Sequence, residues 1–278
     1  MRSVRLVASD MDHTLLDGQG AFPPGFLDDL RRLDEAGIVF VAASGRPLYT
    51  LKRMFPESDH IAFISDNGGT VTYRGEVLFQ SLLPTVDYQE MIELTLARTT
   101  GVPVICGIDS AYVWSGHREH EDELRRFQTV ITFVDELSAV DAPADKLTAY
   151  FADGASRHFY DSIFEPAYGA DFSVTVGGAA WVDIMNPGVN KGNALRVLAD
   201  HLGLEHDQLM AFGDTDNDLE MLGSVYHSYA VSNADDAIHE VARFATASNE
   251  EHGVARTIRE LLAAHENSER PTDPRRSG

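Results

Sequence analysis

Two stretches of this chain alternate apolar strand signals with amphipathic helix signals, and a middle section of different texture separates them. The first stretch contains strand candidates at 4–9, 38–44 and 61–65, and the segment 26–36 shows helical spacing of apolar residues. Strands that are apolar on both faces and alternate with helices pack into parallel sheets covered by helices. The sequence therefore predicts an α/β fold with a Rossmann-like parallel sheet.

The alternating pattern stops near residue 84 and resumes after residue 190. The section between mixes helix candidates with short strands, and prolines at 84 and 187 punctuate its ends. We expect an inserted α+β cap domain at 84–187 and a discontinuous core domain made of 1–83 and 188–265. The polar segment 266–278, which contains two prolines, is expected to be disordered.

Length, charge and cysteine content exclude several classes of protein. A chain of 278 residues is long enough for two domains. Its net charge of −22 argues against nucleic acid or an anionic membrane as a partner, and no apolar run approaches the roughly 20 residues that span a bilayer. The chain shows no signal-peptide pattern, and Cys106 has no second cysteine to pair with, so we expect a cytoplasmic protein. The oligomeric state stays open between a monomer and a weak dimer.

Asp10 and Asp12 follow the first predicted strand directly. Two carboxylates this close repel each other when they are buried, and a hard cation such as Mg²⁺ would resolve that repulsion. A carboxylate beside such a cation is also a workable nucleophile toward phosphorus. An ordinary acidic loop is the alternative interpretation of the same residues.

Three further segments lie where a predicted strand ends or a helix begins, which is where open α/β sheets bind ligands. Ser44, Gly45 and Arg46 close the second strand and could seat a phosphate, or they could form a turn with a surface arginine. The segment Asn67-Gly68-Gly69 is either a loop that approaches a ligand closely or a hairpin turn. Lys191 begins a helix and could neutralise a carboxylate and a phosphate oxygen, unless it is simply exposed.

Another acidic segment, Gly213 to Asp218, follows the short strand candidate at 209–212. Asp214 could bind a metal ion, and Asp218 could orient that metal or its water molecules. Asp216 is the best candidate for capping the helix that follows.

In this order, the segments resemble the four motifs of the haloacid dehalogenase superfamily. Asp10-Met11-Asp12-His13-Thr14 is similar to the first motif, Ser44 to the second, Lys191 to the third, and Gly213-Asp214 with Asp218 to the fourth. The insert lies between the second and third motifs, which resembles the Cof-type (IIB) members with C2B caps. The late loop Ser248-Asn249-Glu250 also resembles that subfamily. The family often has glycine where this chain has His13, which could contact the leaving group or merely fill space.

The resemblance implies a role for each motif residue. Asp10 would be the nucleophile that takes up the phosphoryl group, and Asp12 would protonate the leaving oxygen and then activate water. Mg²⁺ would be held by the carboxylates of Asp10 and Asp214 and the backbone carbonyl of Asp12, and Asp218 would complete this all-oxygen metal site. The remaining candidates fall into two groups: Ser44, Gly45 and Lys191 for the phosphoryl group, and Thr14, Arg46, Asn67 and Asn217 for substrate contact or support.

The resemblance thus implies a Mg²⁺-dependent phosphatase that forms an aspartyl phosphate. Its substrate would be a small phosphorylated metabolite, such as a sugar phosphate, a nucleotide or a cofactor phosphate, selected by the cap domain. Two alternatives stay open: a phosphosugar mutase, and a non-catalytic protein that binds a phosphorylated ligand on the same fold.

Overall fold

The structure of the chain is a computed structural model that describes residues 1, 3–56 and 59–269, and it describes no side chains for 267–269. The strands are β1 (Leu6–Ser9), β2 (Val39–Ala43), β3 (Ile61–Ser65), β4 (Thr70–Tyr73), β5 (Glu76–Gln80), β6 (Val102–Gly107), β7 (Ala111–Trp114), β8 (Ile131–Val134), β9 (Ala144–Tyr150), β10 (Ser173–Val176), β11 (Trp181–Met185), β12 (Leu209–Gly213), β13 (His227–Val231) and β14 (Phe244–Thr246). The helices are α1 (Phe26–Glu35), α2 (Leu48–Met54), α3 (Thr85–Arg98), α4 (Glu121–Phe127), α5 (Ser156–Phe159), α6 (Glu165–Tyr168), α7 (Lys191–Leu202), α8 (Leu219–Gly223), α9 (Asp236–Val241) and α10 (Gly253–Glu269).

Eight strands form the larger sheet, here named the core sheet, in the order β14-β13-β12-β1-β2-β3-β4-β5. The pairs from β14 to β3 are parallel, and β3-β4 and β4-β5 are antiparallel. Neighbouring residues of β1 point to opposite faces, since Val7 packs in one apolar cluster and Leu6 and Ala8 in the other. One cluster contains residues of α1, α2 and α10, and the other contains residues of α7, α8 and α9. The core is therefore a parallel sheet with helices on both faces, as the sequence predicts.

Six strands form a second sheet, here named the cap sheet, in the order β10-β11-β9-β6-β7-β8. It is antiparallel except for the parallel pair β7-β8. Helices and a second sheet inserted into a parallel α/β core make up the fold class that the sequence predicts, and this prediction is confirmed. The domain boundaries at 83/84 and 187/188 stay a prediction.

The edge of the core sheet and the end of the last helix differ from what the sequence predicts. The antiparallel strands β4 and β5 were not predicted, and β8 was missed in the cap sheet. Helix α10 continues to Glu269, so the first part of the expected disordered tail is helical. Nη2 of Arg32 in α1 lies 2.7 Å from Oε1 of Glu266, and this ion pair connects the last part of α10 to α1. Residues 270–278 lie outside the described residues.

The Asn67-Gly68-Gly69 segment forms the turn between β3 and β4, so the hairpin interpretation is the one observed. Asp66, Asn67 and Gly68 have φ values of 51°, 55° and 102°, all in the left-handed region. A Cβ on Gly68 would lie 2.5 Å from the carbonyl oxygen of Asn190. Glycine is therefore required here both by the turn and by the close packing against the residue before Lys191.

Two other findings bear on the class of protein. Within the described ranges, no helix is both long and apolar enough to cross a membrane. Cys106 is buried in the cap sheet and unpaired, and burial raises the pKa of its thiol, which suits an unreactive core residue.

Gly68→Ala should destabilise the chain more than Gly75→Ala, which serves as a matched control. Both glycines have positive φ, 102° and 80°, but a Cβ on Gly75 meets nothing within 4 Å. Left-handed strain costs about 1–2 kcal/mol at either position, and the contact with the Asn190 backbone adds a further ~1–3 kcal/mol only at Gly68. Denaturant unfolding followed by circular dichroism measures the difference. Equal losses in the two variants would contradict the proposed packing.

Candidate active site

The carboxyl ends of three adjacent strands bring the predicted site residues together. Asp10 follows β1, Ser44 follows β2 and Asp214 follows β12. The backbone N–H of Asp10 donates to the carbonyl of Phe212 at 3.0 Å, which holds the end of β1 against β12. The order of the core sheet changes direction at β1, and such a switch point leaves a crevice at the strand ends.

The turn after β1 is fixed by contacts from distant loops. His13 has φ 62°, in the left-handed region that favours glycine. This backbone conformation explains why glycine is often found at this position in the superfamily that the sequence resembles. Asn233 donates to the carbonyl of His13 at 2.8 Å, and Asn249 of the late loop donates to the carbonyl of Leu16 at 3.0 Å. His13 itself is exposed and borders the cavity described below.

Lys191 is fully buried, with 0% of its surface exposed. Its Nζ lies 2.5 Å from Asp10 Oδ1 and 2.7 Å from Asp218 Oδ1. Asn190 caps α7 by accepting from the N–H of Asn193 at 2.7 Å, and this fixes where Lys191 enters the helix. The alternative of an exposed lysine is therefore wrong.

The acidic segment after β12 is organised by Asp218 rather than Asp216. Asp218 Oδ2 accepts from the N–H groups of Asp214 and Thr215 at 3.0 and 3.4 Å and completes a capping box with Thr215. Asp216, expected to cap the helix, instead pairs with Arg157 of the inserted segment. The prediction for Asp216 is wrong because its partner lies 59 residues away in sequence and leaves no local signal.

Thr14 supports the acidic segment from the first motif. Its hydroxyl donates to Asp214 Oδ1 at 2.7 Å, and the side chain is buried. Thr14 thus orients a carboxylate and does not line the cavity.

The buried negative charge of the site exceeds its buried positive charge. Three carboxylates, those of Asp10, Asp214 and Asp218, surround one cation, Lys191. Burial and the neighbouring acids raise the pKa of Asp10 to about 7, although Lys191 opposes the rise. Burial, Asp10 and Asp218 raise the pKa of Asp214 to about 9. Burial alone would lower the pKa of Lys191, but the two carboxylates outweigh that effect and raise it.

This donor set fits a hard divalent cation. One carboxylate oxygen from each of the three aspartates lies within 4.8 Å of the others. The donors are all oxygen, as Mg²⁺ requires, and a dication would offset the repulsion among these buried carboxylates. The structure therefore provides a carboxylate cluster able to hold a metal.

Asp12 is held by Arg46, which also touches the inserted segment. Arg46 Nε and Nη2 donate to the two oxygens of Asp12 at 2.7 and 2.6 Å, a bidentate ion pair. Its Nη1 donates to the carbonyl of Arg126 at 2.7 Å, and its guanidinium lies 5.0 Å from the centre of the Phe127 ring. In this arrangement Arg46 binds a carboxylate rather than occupying the predicted phosphate seat.

Asn67 and Asn217 form a second link between the core and the inserted segment. Asn67 donates to Asp183 Oδ2 at 2.6 Å and accepts from Asn217 at 3.0 Å. Thr215 donates to Asn217 Oδ1 at 3.0 Å, so the chain of hydrogen bonds reaches the acidic segment. Both asparagines therefore have a supporting position, and Asn217 also borders the cavity.

A cavity of about 370 Å³ lies between the core strand ends and the cap sheet. From the core it is lined by the predicted residues Asp10, Asp12, Ser44, Gly45, Arg46, Asp214 and Asn217. The cap sheet contributes side chains that sequence reasoning missed, among them Lys146, Thr148, Trp181 and Asp183. The signal for them was a charged residue within a short strand segment, Lys146 in β9 and Asp183 in β11.

Residues 7–258 of the chain match the haloacid dehalogenase-like hydrolase family. The chain belongs to that family. This confirms the resemblance to the superfamily and its Cof-type members, and it confirms the expected enzyme class of a haloacid dehalogenase-like phosphatase.

Similar proteins match over nearly the whole chain. The Escherichia coli 5-amino-6-(5-phospho-D-ribitylamino)uracil phosphatase YbjI is 30% identical, over 94% of this chain and 97% of its own length. The HMP-PP phosphatase of an Enterobacter species is 30% identical over 83% of this chain and 85% of its own. The Streptococcus mutans protein SMU.1108c is 29% identical in sequence, and its crystal structure matches with a TM-score of 0.86. The match covers 94% of this chain and 99% of the S. mutans chain.

Lys191→Met should destabilise the metal-free protein by about 3–5 kcal/mol, because it leaves buried carboxylates without their cation. Lys52→Met is the control, since Lys52 is exposed on α2 and its replacement should change stability by less than about 0.5 kcal/mol. Denaturant unfolding in the presence of a chelator measures both variants. A Lys191→Met protein as stable as the control would show that the buried ion pairs do not support the fold.

Proposed function

We propose that this phosphatase hydrolyses small phosphorylated metabolites with Mg²⁺ through an aspartyl phosphate on Asp10. The observation that carries the proposal is the buried cluster of Asp10, Asp214 and Asp218 around one buried lysine, at the strand ends and beside a cavity. Bound there, Mg²⁺ would neutralise charge on the transferring phosphoryl group.

Asp10 is the group that we propose attacks phosphorus. Its backbone is held by Phe212, one carboxylate oxygen is bound by Lys191, and the side chain borders the cavity. Lys191 was predicted to bind the phosphoryl group, but it is fully buried and does not border the cavity, so we propose that it screens Asp10 from Asp218. Holding the nucleophile in one orientation supplies much of the rate in phosphoryl transfer.

Asp12 is proposed to transfer protons. Of the acids in the cluster region it is the most accessible, with 30% of its side chain exposed, and it borders the cavity. We propose that it protonates the leaving oxygen and then takes a proton from the attacking water. Arg46 holds both Asp12 oxygens and is therefore expected to move or rotate when Asp12 carries the proton.

Ser44 and Gly45 are proposed to receive the phosphoryl oxygens. They lie in the chain between β2 and α2 and border the cavity, as Asp10 does. The Ser44 hydroxyl is buried and accepts from the N–H of Arg46 at 3.1 Å, so its own proton remains available to a phosphate.

The names of the relatives guide the choice of substrate. One acts on a ribityl phosphate that carries an amino-substituted uracil, and another on HMP-PP. We propose that these two compounds be tested first, followed by sugar phosphates, nucleotides and cofactor phosphates.

Asp10→Asn should abolish turnover and leave the fold intact, because the amide keeps the shape of the carboxylate but is not a nucleophile. Asp207→Asn is the control, since Asp207 lies before β12, at the opposite end of the strand from Asp214. Release of p-nitrophenol from p-nitrophenyl phosphate in Mg²⁺ measures activity, and circular dichroism verifies folding.

Activity of Asp10→Asn within about tenfold of the parent, a barrier change of only ~1.4 kcal/mol, would refute the assignment of the nucleophile. Two other outcomes address the alternatives. Turnover that requires a sugar bisphosphate would favour a mutase, and tight substrate binding without turnover by the parent would favour a binding protein.

A further inference from the structure

The face of the cap sheet that borders the cavity is built by alternate residues of β9 and β11. Lys146 and Thr148 of β9 and Trp181 and Asp183 of β11 line the cavity. The residues between them, such as Leu147 and Val182, pack in the apolar cluster on the other side of the sheet. Asp183 pairs with Thr148 and Trp181 with Tyr150, so the face carries polar residues at one end and aromatic residues at the other.

The polar end lies against the proposed phosphate site. Lys146 Nζ donates to the carbonyl of Gly45 at 2.7 Å and to Asp183 Oδ2 at 3.0 Å, which leaves one of its three N–H groups for another acceptor. Asp183 is only 4% exposed, and its Oδ1 has no hydrogen-bond partner among the described residues. A donor and an unfilled acceptor side by side are complementary to a hydroxyl group, which both accepts and donates.

The aromatic end lies two residues further along β11, about 7 Å away at the usual rise of a strand. The Trp181 ring is 4.8 Å from that of Tyr150 and 5.1 Å from that of Phe127. The segment 177–180 beside it consists of two glycines and two alanines, which also line the cavity. A Cβ on Gly178 would meet no atom within 4 Å, so there is open space beside this end. Aromatic side chains beside open space can accommodate the planar ring of a ligand.

On the basis of the proposed function, we infer that this face selects the leaving group of the substrate. Lys146 and Asp183 bind a hydroxyl on the carbon chain next to the ester, and Trp181 with Phe127 stacks on a planar ring at the far end of that chain. The substrate class is a phosphate monoester of a short hydroxylated chain or sugar that carries an aromatic or heteroaromatic ring. Trp181 and Asp183 are therefore specificity-determining residues.

Two matched pairs of substrates test whether the enzyme prefers a leaving group that carries a planar ring. Flavin mononucleotide is compared with ribitol 5-phosphate, and uridine 5′-monophosphate with ribose 5-phosphate, by phosphate release in Mg²⁺. The parent should show a kcat/KM at least about tenfold higher for the ringed member of at least one pair. Trp181→Leu should lower kcat/KM for the ring-bearing substrate enough to remove that preference. Trp181→Phe keeps an aromatic ring at this position and should retain most of the preference.

Trp114→Leu is the matched control, since Trp114 is the other tryptophan, lies on β7 of the same sheet and does not line the cavity. It should leave the ring preference unchanged. Asp183→Asn tests the hydroxyl contact: it should lower kcat/KM for ribitol 5-phosphate far more than for p-nitrophenyl phosphate, whose leaving group has no hydroxyl chain.

The outcomes separate this inference from the proposed function. If the parent hydrolyses p-nitrophenyl phosphate but shows no ring preference, or if Trp181→Leu and Trp181→Phe both keep it, the inference is overturned and the phosphatase stands. Equal losses for Asp183→Asn on both ester types would overturn the hydroxyl contact. If the parent hydrolyses none of the probes, both the proposed function and the inference fail.

Discussion

The ion pairs that Lys191 makes with Asp10 and Asp218 are the interaction on which the rest of the site depends. Without the ammonium group, three carboxylates would be buried together with no positive charge among them. The fold secures that lysine by several means, which include the Asn190 cap of α7 and the contact of Gly68 with the Asn190 backbone. The remaining negative charge is an electrostatic reason for a metal site at this place.

The same site residues also connect the core to the inserted segment. Arg46 binds Asp12 and the carbonyl of Arg126, and Lys146 binds the carbonyl of Gly45. Movement of the cap sheet away from the core would break both contacts, so access to the cavity and the position of Asp12, the proposed proton-transfer group, would change together. This coupling gives a physical basis for substrate selection by a segment that supplies no nucleophile.

Several of the site residues that the sequence predicted have positions that are fixed by strand ends. Asp10, Ser44 and Asp214 each follow an apolar strand, and the parallel sheet itself brings such positions together. What the sequence did not predict depends on pairs of residues far apart in the chain. Asn67 and Asp183 are separated by 116 positions, and no local pattern indicates which of the inserted strands faces the core. Asp216 was misassigned for the same reason.

The proposed mechanism is tested by locating the phosphoryl group on the enzyme during turnover. Asp12→Asn is mixed with p-nitrophenyl phosphate, whose leaving group needs little protonation, so the phosphoenzyme forms but lacks the base for its hydrolysis. After an acid quench and digestion, mass spectrometry identifies the modified residue. If Asp10 is the nucleophile, one phosphoryl group is expected on Asp10 in Mg²⁺ and none in excess chelator. A phosphoryl group on another residue, equal labelling without metal, or p-nitrophenol release with no labelled peptide would contradict the proposed mechanism.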